Sequence, residues 1–153
     1  LTMSRIEEAT AFGAERSIAA GYTVKDPDQW FKILLEHVLL NRAFVSIEDG
    51  KIAGLAIYGL VHTAESAFES GYNPVGDAGR VIWCPYLAAT GIRHILGMIR
   101  AAARRHPHAE TLAYRRRRVH LVKISLRRTS HGWKSSIGRN GSRQVPLGAG
   151  AGG

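Results

Sequence analysis

Cysteine is almost missing from this chain. Cys84 is its one thiol in 153 residues, so no internal disulfide can staple the fold and a packed core must hold it. No run of about eighteen apolar residues occurs, which leaves no candidate for a membrane-spanning helix. No basic segment leading into an apolar one opens the chain, and together with the lone thiol this points to a reducing, cytoplasmic setting. Nor is there a Cys/His/acid cluster at metal-ligand spacing. The one suggestive stretch, His106-Pro107-His108, reads as a helix end, with no metal implied. The recognised nucleic-acid signatures, such as RNP motifs and finger spacings, are also absent. Acids run out in the second part: beyond residue 100 only Glu110 stands against twelve Lys/Arg.

That last deficit makes the charge strongly asymmetric. Residues 1–100 carry nine Lys/Arg and eleven Asp/Glu, a balance of −2, while 101–153 carry +11, giving the net +9. The basic end predicts an anionic partner: nucleic acid, a phosphorylated cofactor or an acidic protein. With 45% hydrophobic residues the composition is that of a globular protein, and wholesale disorder is excluded.

Residues 4–20 read as a helix with Ser4 as N-cap and Gly21 as stop, and 25–42 as a second helix opened by Asp26 and Pro27. Trp30, Phe31, Ile33, Leu34 and Val38 supply the second helix's buried stripe. His37 within it reads as structural or exposed. Two β-rich runs over 43–61 flank Asp49-Gly50, which predicts an antiparallel hairpin. Gly54 and Gly59 in its second strand mark a bulge, a close approach of another group, or tolerated glycines. Residues 62–79 read as a long turn-rich connection. A third strand over 80–89 breaks at Pro85 and leads into a helix over 90–106, with Ile92, Ile95, Leu96 and Ile99 on one face. Strands follow at 109–115 and 118–128. From 129 the chain turns polar and Gly-rich and reads as a disordered basic tail over 129–153.

A helix between the third and fourth strands allows those two strands to run parallel with a right-handed crossover. The expectation is an α/β fold: a mixed central sheet with helices on both faces, in a single domain over 1–128. This order, with Pro85 and Gly91 at the matching separation in "VIWCPYLAATGIR", resembles the GNAT superfamily of acyl-CoA-dependent acyltransferases over roughly residues 25–128. Two positions depart from its turn motif: Ala88 stands where Arg or Gln is usual, and Arg93 at the second small position. The resemblance implies acetyl-CoA or another acyl-CoA as cofactor, bound at Ala88, Ala89, Thr90, Gly91, Ile92 and Arg93. It also implies an amine acceptor, either a small molecule or a protein lysine. The pyrophosphate would be held by backbone N–H groups at the helix N-terminus, with small side chains leaving them accessible.

"VIWCP", "RRHP" and "LAYRRR" also resemble the toxin-activating lysine acyltransferases, a GNAT-like branch, and similar short proteins occur in phage and prophage clusters. That branch's catalytic Asp falls near Trp83 or Cys84, and its catalytic His before the second helix, where "KDPDQW" has none. The fold carries over; the lysine acylation does not. For amine acylation the chain must supply a base and a carbonyl-polarising donor. Glu65, Glu69, Tyr86 and Tyr114 are available, but none stands out as the base, so the catalytic residues stay unassigned. Cys84 reads as a core residue rather than an acyl carrier. The run Arg115–Arg118 reads as a solvated strand end, a contact for a cofactor phosphate, or a contact for nucleic acid. The rival to the enzyme is therefore a non-catalytic basic binding protein on the same fold.

Overall fold

The computed structural model describes residues 2–21, 26–129 and 132–137. The elements run α1 (Met3–Ala19), α2 (Pro27–Leu39), β1 (Ala43–Glu48), β2 (Lys51–Val61), α3 (Ala64–Ser70), a 3-10 turn at Gly76–Ala78, β3 (Val81–Ala89), α4 (Ile92–Arg105), β4 (Thr111–Arg116), β5 (His120–Thr129) and β6 (Gly132–Ile137). The strands form one mixed sheet in the order β1-β2-β3-β4-β5-β6. β1 pairs antiparallel with β2, β4 with β5, and β5 with β6. β3 and β4, joined through α4, are parallel. The α/β class and the mixed sheet are as the element order predicts.

The chain groups into two compact units, residues 1–57 with 86–95 and residues 58–85 with 96–153. In the first unit α1 and α2 bring Ile6, Ala9 and Leu34 onto Ile52, Leu55 and Ile57 of β2. Spacings of three and four along a helix meet the alternation of a strand, and the shared apolar face is removed from water. Asp26 opens α2 by accepting from the N–H groups of Asp28 and Gln29. Thr2, not Ser4, caps α1, accepting from Arg5 N–H at 3.2 Å. Ile33 of the expected α2 stripe lies at the surface, whereas Leu34 is fully buried. His37 is also buried, and its Nδ1 lies 2.8 Å from Ile33 O, one turn back on its own helix.

The hairpin turn is at Asp49-Gly50, both at positive φ (51° and 78°), as a two-residue loop between twisted strands requires. Two of the alternatives for the strand glycines are realised, one at each. Beside Gly54 the register shifts: Ser46 pairs with Gly54 and Ile47 with Ile52, leaving Ala53 as an extra residue in β2. At Gly59, in the second unit, a Cβ would sit 2.1 Å from Tyr72 Oη, so only glycine admits that ring.

The second unit buries Val61, Ala64, Ala67, Val81, Trp83 and Ala113, with Phe68, Tyr72 and Leu121 against them. Its largest departure from expectation is α3, where a connection without secondary structure was expected. Thr63 caps it, accepting from Ser66 N–H at 3.1 Å. Ala64 and Ala67 bury one face, and Gly71 at φ 99° ends it. Seven residues span too few turns for a helical period to show in sequence. β3 runs through Pro85 to Ala89, as the expected strand over 80–89 does, and its pairing with β4 stops at Cys84 opposite Tyr114. Proline has no N–H to extend a ladder. On α4, Leu96 and Ile99 are buried as expected, but Ile92 is 51% exposed. β6 falls where the sequence reads as tail, and residues 138–153 lie outside the described residues.

Candidate active site at the β3–α4 corner

All six residues expected to hold a cofactor lie in the first unit, where β3 turns into α4. Ala88 and Ala89 are half-buried at the end of the strand, Thr90 is exposed, and Ile92 and Arg93 begin the helix on its exposed side. The turn is fastened from three directions. Thr90 N–H donates to Ala53 O at 2.8 Å, so the extra residue of the bulge anchors the corner. Arg16 donates from Nη2 to Ala89 O at 2.5 Å. Tyr86, packed on Trp30 with ring centroids 5.0 Å apart, donates its hydroxyl to Gly13 O at 2.8 Å. Gly91 faces open space: a Cβ built there meets nothing within 4 Å.

These contacts change what the corner offers an anion. The Thr90 N–H is already used and the His94 N–H donates to Gly91 O, so the donors left at the first turn of α4 are those of Ile92 and Arg93, which have no intrahelical acceptors. The Arg93 guanidinium is engaged by Glu48 Oε1.

The same helical turn carries a group that the sequence reading passed over. His94, 8% exposed, has a partner on each ring nitrogen. Ser46 Oγ lies 2.5 Å from Nδ1, and Glu48 Oε2 lies 3.0 Å from Nε2. Ser46 and Glu48 are two apart on β1, so the strand's period points both toward α4. His94 N–H donates to Gly91 O at 3.2 Å, which places the imidazole one turn from the open glycine. The hydrogen bond from His94, then the charge of Arg93, hold the Glu48 carboxyl below the usual carboxylate range. Ionised at neutral pH, Glu48 can only accept. It therefore fixes the hydrogen on Nε2, and in the neutral imidazole this leaves the Nδ1 lone pair toward Ser46.

The other candidates lie apart from this cluster. Glu65 sits on α3 and pairs with Lys123 Nζ at 3.0 Å, a hydrogen bond that holds its carboxyl below the usual range. Glu69 is exposed near the end of the same helix. Burial pushes the Tyr86 and Tyr114 phenols up. Burial also pushes the Cys84 thiol up to about 12, which suits a core residue and not a thiolate nucleophile. His106 lies buried with its Nε2 2.8 Å from Tyr58 Oη, and His108 Nε2 lies 2.9 Å from Asp77 O. Among the described residues no group of three or more His, Cys, Asp or Glu could hold a metal ion, and no helix is long and apolar enough to cross a membrane.

No pattern of spacing joins Ser46, Glu48 and His94, since 46 residues or more separate the helix from the strand. Only the alternation of Ser46 and Glu48 was visible, and it is common to any strand with one polar face. No family model matches this chain, and no curated protein or solved structure matches it either.

Proposed function

We propose that the protein is an acyl-CoA-dependent N-acyltransferase acting on an amine. One observation carries this reading: an open glycine corner at a helix N-terminus lies one turn from a buried histidine with its base nitrogen poised. The first N–H groups of α4, with the helix dipole behind them, suit a pyrophosphate. Gly91 leaves them approachable. His94, oriented by Glu48, supplies the base that an incoming ammonium needs before it can attack a thioester carbonyl. The thioester itself brings the acyl group and the thiolate leaving group. The protein's share is to position the carbonyl and to move the proton.

The test is thermal melting with acetyl-CoA and longer acyl-CoAs. A ligand that binds only the folded state stabilises it by about 2.7 kcal/mol at a hundred times its dissociation constant. Gly91→Val must remove the shift by closing the approach. The φ at Gly91 is not in the left-handed region and a Cβ there meets nothing within 4 Å, so the substitution should leave the melting temperature without ligand little changed, which the same experiment reads. Arg93→Ala, by freeing Glu48 and removing one cation, must weaken the shift without abolishing it. A wild-type melt unmoved by millimolar acyl-CoA ends the proposal.

A second reading, binding of a nucleic acid without catalysis, draws on the β4–β5 turn. Arg115 to Arg118 are exposed there, and Arg117 and Arg118 hold φ of 51° and 67°. Arg115 lies over the Phe68 ring at 4.5 Å and donates to Phe68 O. Binding to a duplex or single strand must then weaken steeply with salt as counterions are released. No binding at low salt removes this reading.

A further inference from the structure

The clamp on His94 has a consequence for its other partner. A carboxylate that accepts from Nε2–H leaves Nδ1 as a proton acceptor, and the hydroxyl 2.5 Å from that nitrogen is Ser46 Oγ. Serine is a weak nucleophile until a neighbouring base takes its proton as it attacks, and the base must itself be held in one tautomer by a third group. Either ring nitrogen can serve, provided the opposite one keeps its hydrogen. Glu48 is doubly held, by His94 on Oε2 and by Arg93 on Oε1, so its orientation is fixed before any substrate arrives.

The backbone around Ser46 points the same way. Ser46 is half-buried, not sealed in the core. It lies on β1, which stands at the end of the strand order and so, among the described residues, has a strand neighbour on one side only. The register shift falls beside Ser46, with the extra residue Ala53 on the partner strand β2, and such bulges recur beside active sites.

We infer that Ser46 is a nucleophile that carries the acyl group as a serine ester, with His94 as its base and Glu48 as the positioning residue. In the first step Ser46 Oγ bonds to the thioester carbonyl carbon and its proton passes to His94 Nδ1. The C–S bond breaks, and the thiolate leaves with that proton. In the second step the acceptor amine, arriving as the free base, attacks the ester and gives a proton to Nδ1. The C–O bond breaks, and Ser46 recovers its proton. The acyl donor rests on the acyltransferase reading above. The nucleophile does not, since any activated acyl or phosphonyl ester must find it.

A fluorophosphonate probe, which needs no CoA, provides the test. Attack by Ser46 Oγ forms an O–P bond and expels fluoride, and mass spectrometry must find one phosphonyl group on the Ser46 peptide. Ser46→Ala must stay unlabelled with its melting temperature little changed. His94→Gln must label roughly 10²- to 10⁴-fold more slowly, the span of a lost general base. Glu48→Gln must shift the pH dependence of labelling, because the carboxylate no longer holds the tautomer. Acetyl-CoA must then place one acetyl group on the same peptide, released by hydroxylamine. If Ser46→Ala does not fold, Ser46→Cys decides: its thiol must react with iodoacetamide at neutral pH where buried Cys84 does not. An unlabelled wild type, a label on another residue, or labelling indifferent to His94 overturns the inference. A melting shift with acyl-CoA but no adduct on Ser46 also overturns it, and leaves direct transfer standing. Labelling of Ser46 without any response to acyl-CoA sustains the nucleophile and removes the acyltransferase reading.

Discussion

Two hairpin turns reverse the chain with paired left-handed residues, and they are built from opposite materials. Between β1 and β2 the residues are Asp49 and Gly50, at φ 51° and 78°. Between β4 and β5 they are Arg117 and Arg118, at 51° and 67°, in a turn closed by Val119 N–H on Arg116 O at 3.3 Å. Glycine adopts this region freely and aspartate tolerates it, whereas for other L-residues it costs roughly 1–2 kcal/mol each. The first turn is the solution that backbone energetics favours. The second is held against that preference, with four arginines in succession at its tip. Turn geometry explains the first pair of residues and not the second, so the arginines are the place to look for a reason outside the turn.

Replacing the costly turn should give the largest effect. Arg117→Asn with Arg118→Gly relieves both left-handed arginines and should stabilise the protein by about 2 kcal/mol in urea unfolding. If the arginines bind a polyanion, the same variant loses that affinity and flattens its salt dependence. An unchanged midpoint would show that the two turns do not differ in strain.

The favourable turn should respond in the opposite sense. Gly50→Ala keeps the hairpin's charges, and Gly50 O can still accept from Arg5 Nη1 at 3.0 Å. It forces a Cβ into φ 78° and should cost about 1 kcal/mol. A neutral result would mean that the loop relaxes to another turn type.

A smaller effect separates the acidic hairpin by pH. Glu48 ends β1, and its carboxyl is depressed first by the hydrogen bond from His94 and then by Arg93. A depressed carboxylate contributes stability above its unfolded value, and loses it as the pH falls through the folded one. The deficit of Glu48→Gln against wild type must therefore be full at pH 7 and shrink below the ordinary value of 4.5. Equal deficits at pH 7 and pH 3 would deny the carboxylate charge any part.

The thiol gives the smallest signal, and one confined to the second unit. Cys84, pushed up to about 12 by burial, must resist alkylation at neutral pH until the protein unfolds. Fast labelling of the native protein would place Cys84 at a surface.

Much of the architecture was legible from local rules. Asp49-Gly50 placed the first hairpin because that dipeptide answers a backbone demand on its own. Asp26-Pro27 opened α2 for the same kind of reason. The strand, helix, strand order over residues 81–116 implied a parallel pair, and β3 and β4 are parallel. Where local rules were weak the reading erred. Thr63 caps a helix too short to show its period, and Ile92 was placed on a buried face that the helix turns to solvent. The pairing of Arg93 with Glu48 was likewise out of reach of local rules.

The sequence by itself determined those features that depend on neighbours in the chain: the Asp26 cap of α2, the Asp-Gly turn, and the charge divide near residue 100. Each is settled locally, by dihedral preference or by composition. Only the tertiary structure decided that Ser46 and Glu48 would meet His94, 48 and 46 residues away. The bulge at Ala53 ties Thr90 to β2 and brings the first turn of α4 within reach of β1. A hydrogen bond needs two groups within about 3 Å, and no local rule carries a distance across so long a stretch of chain.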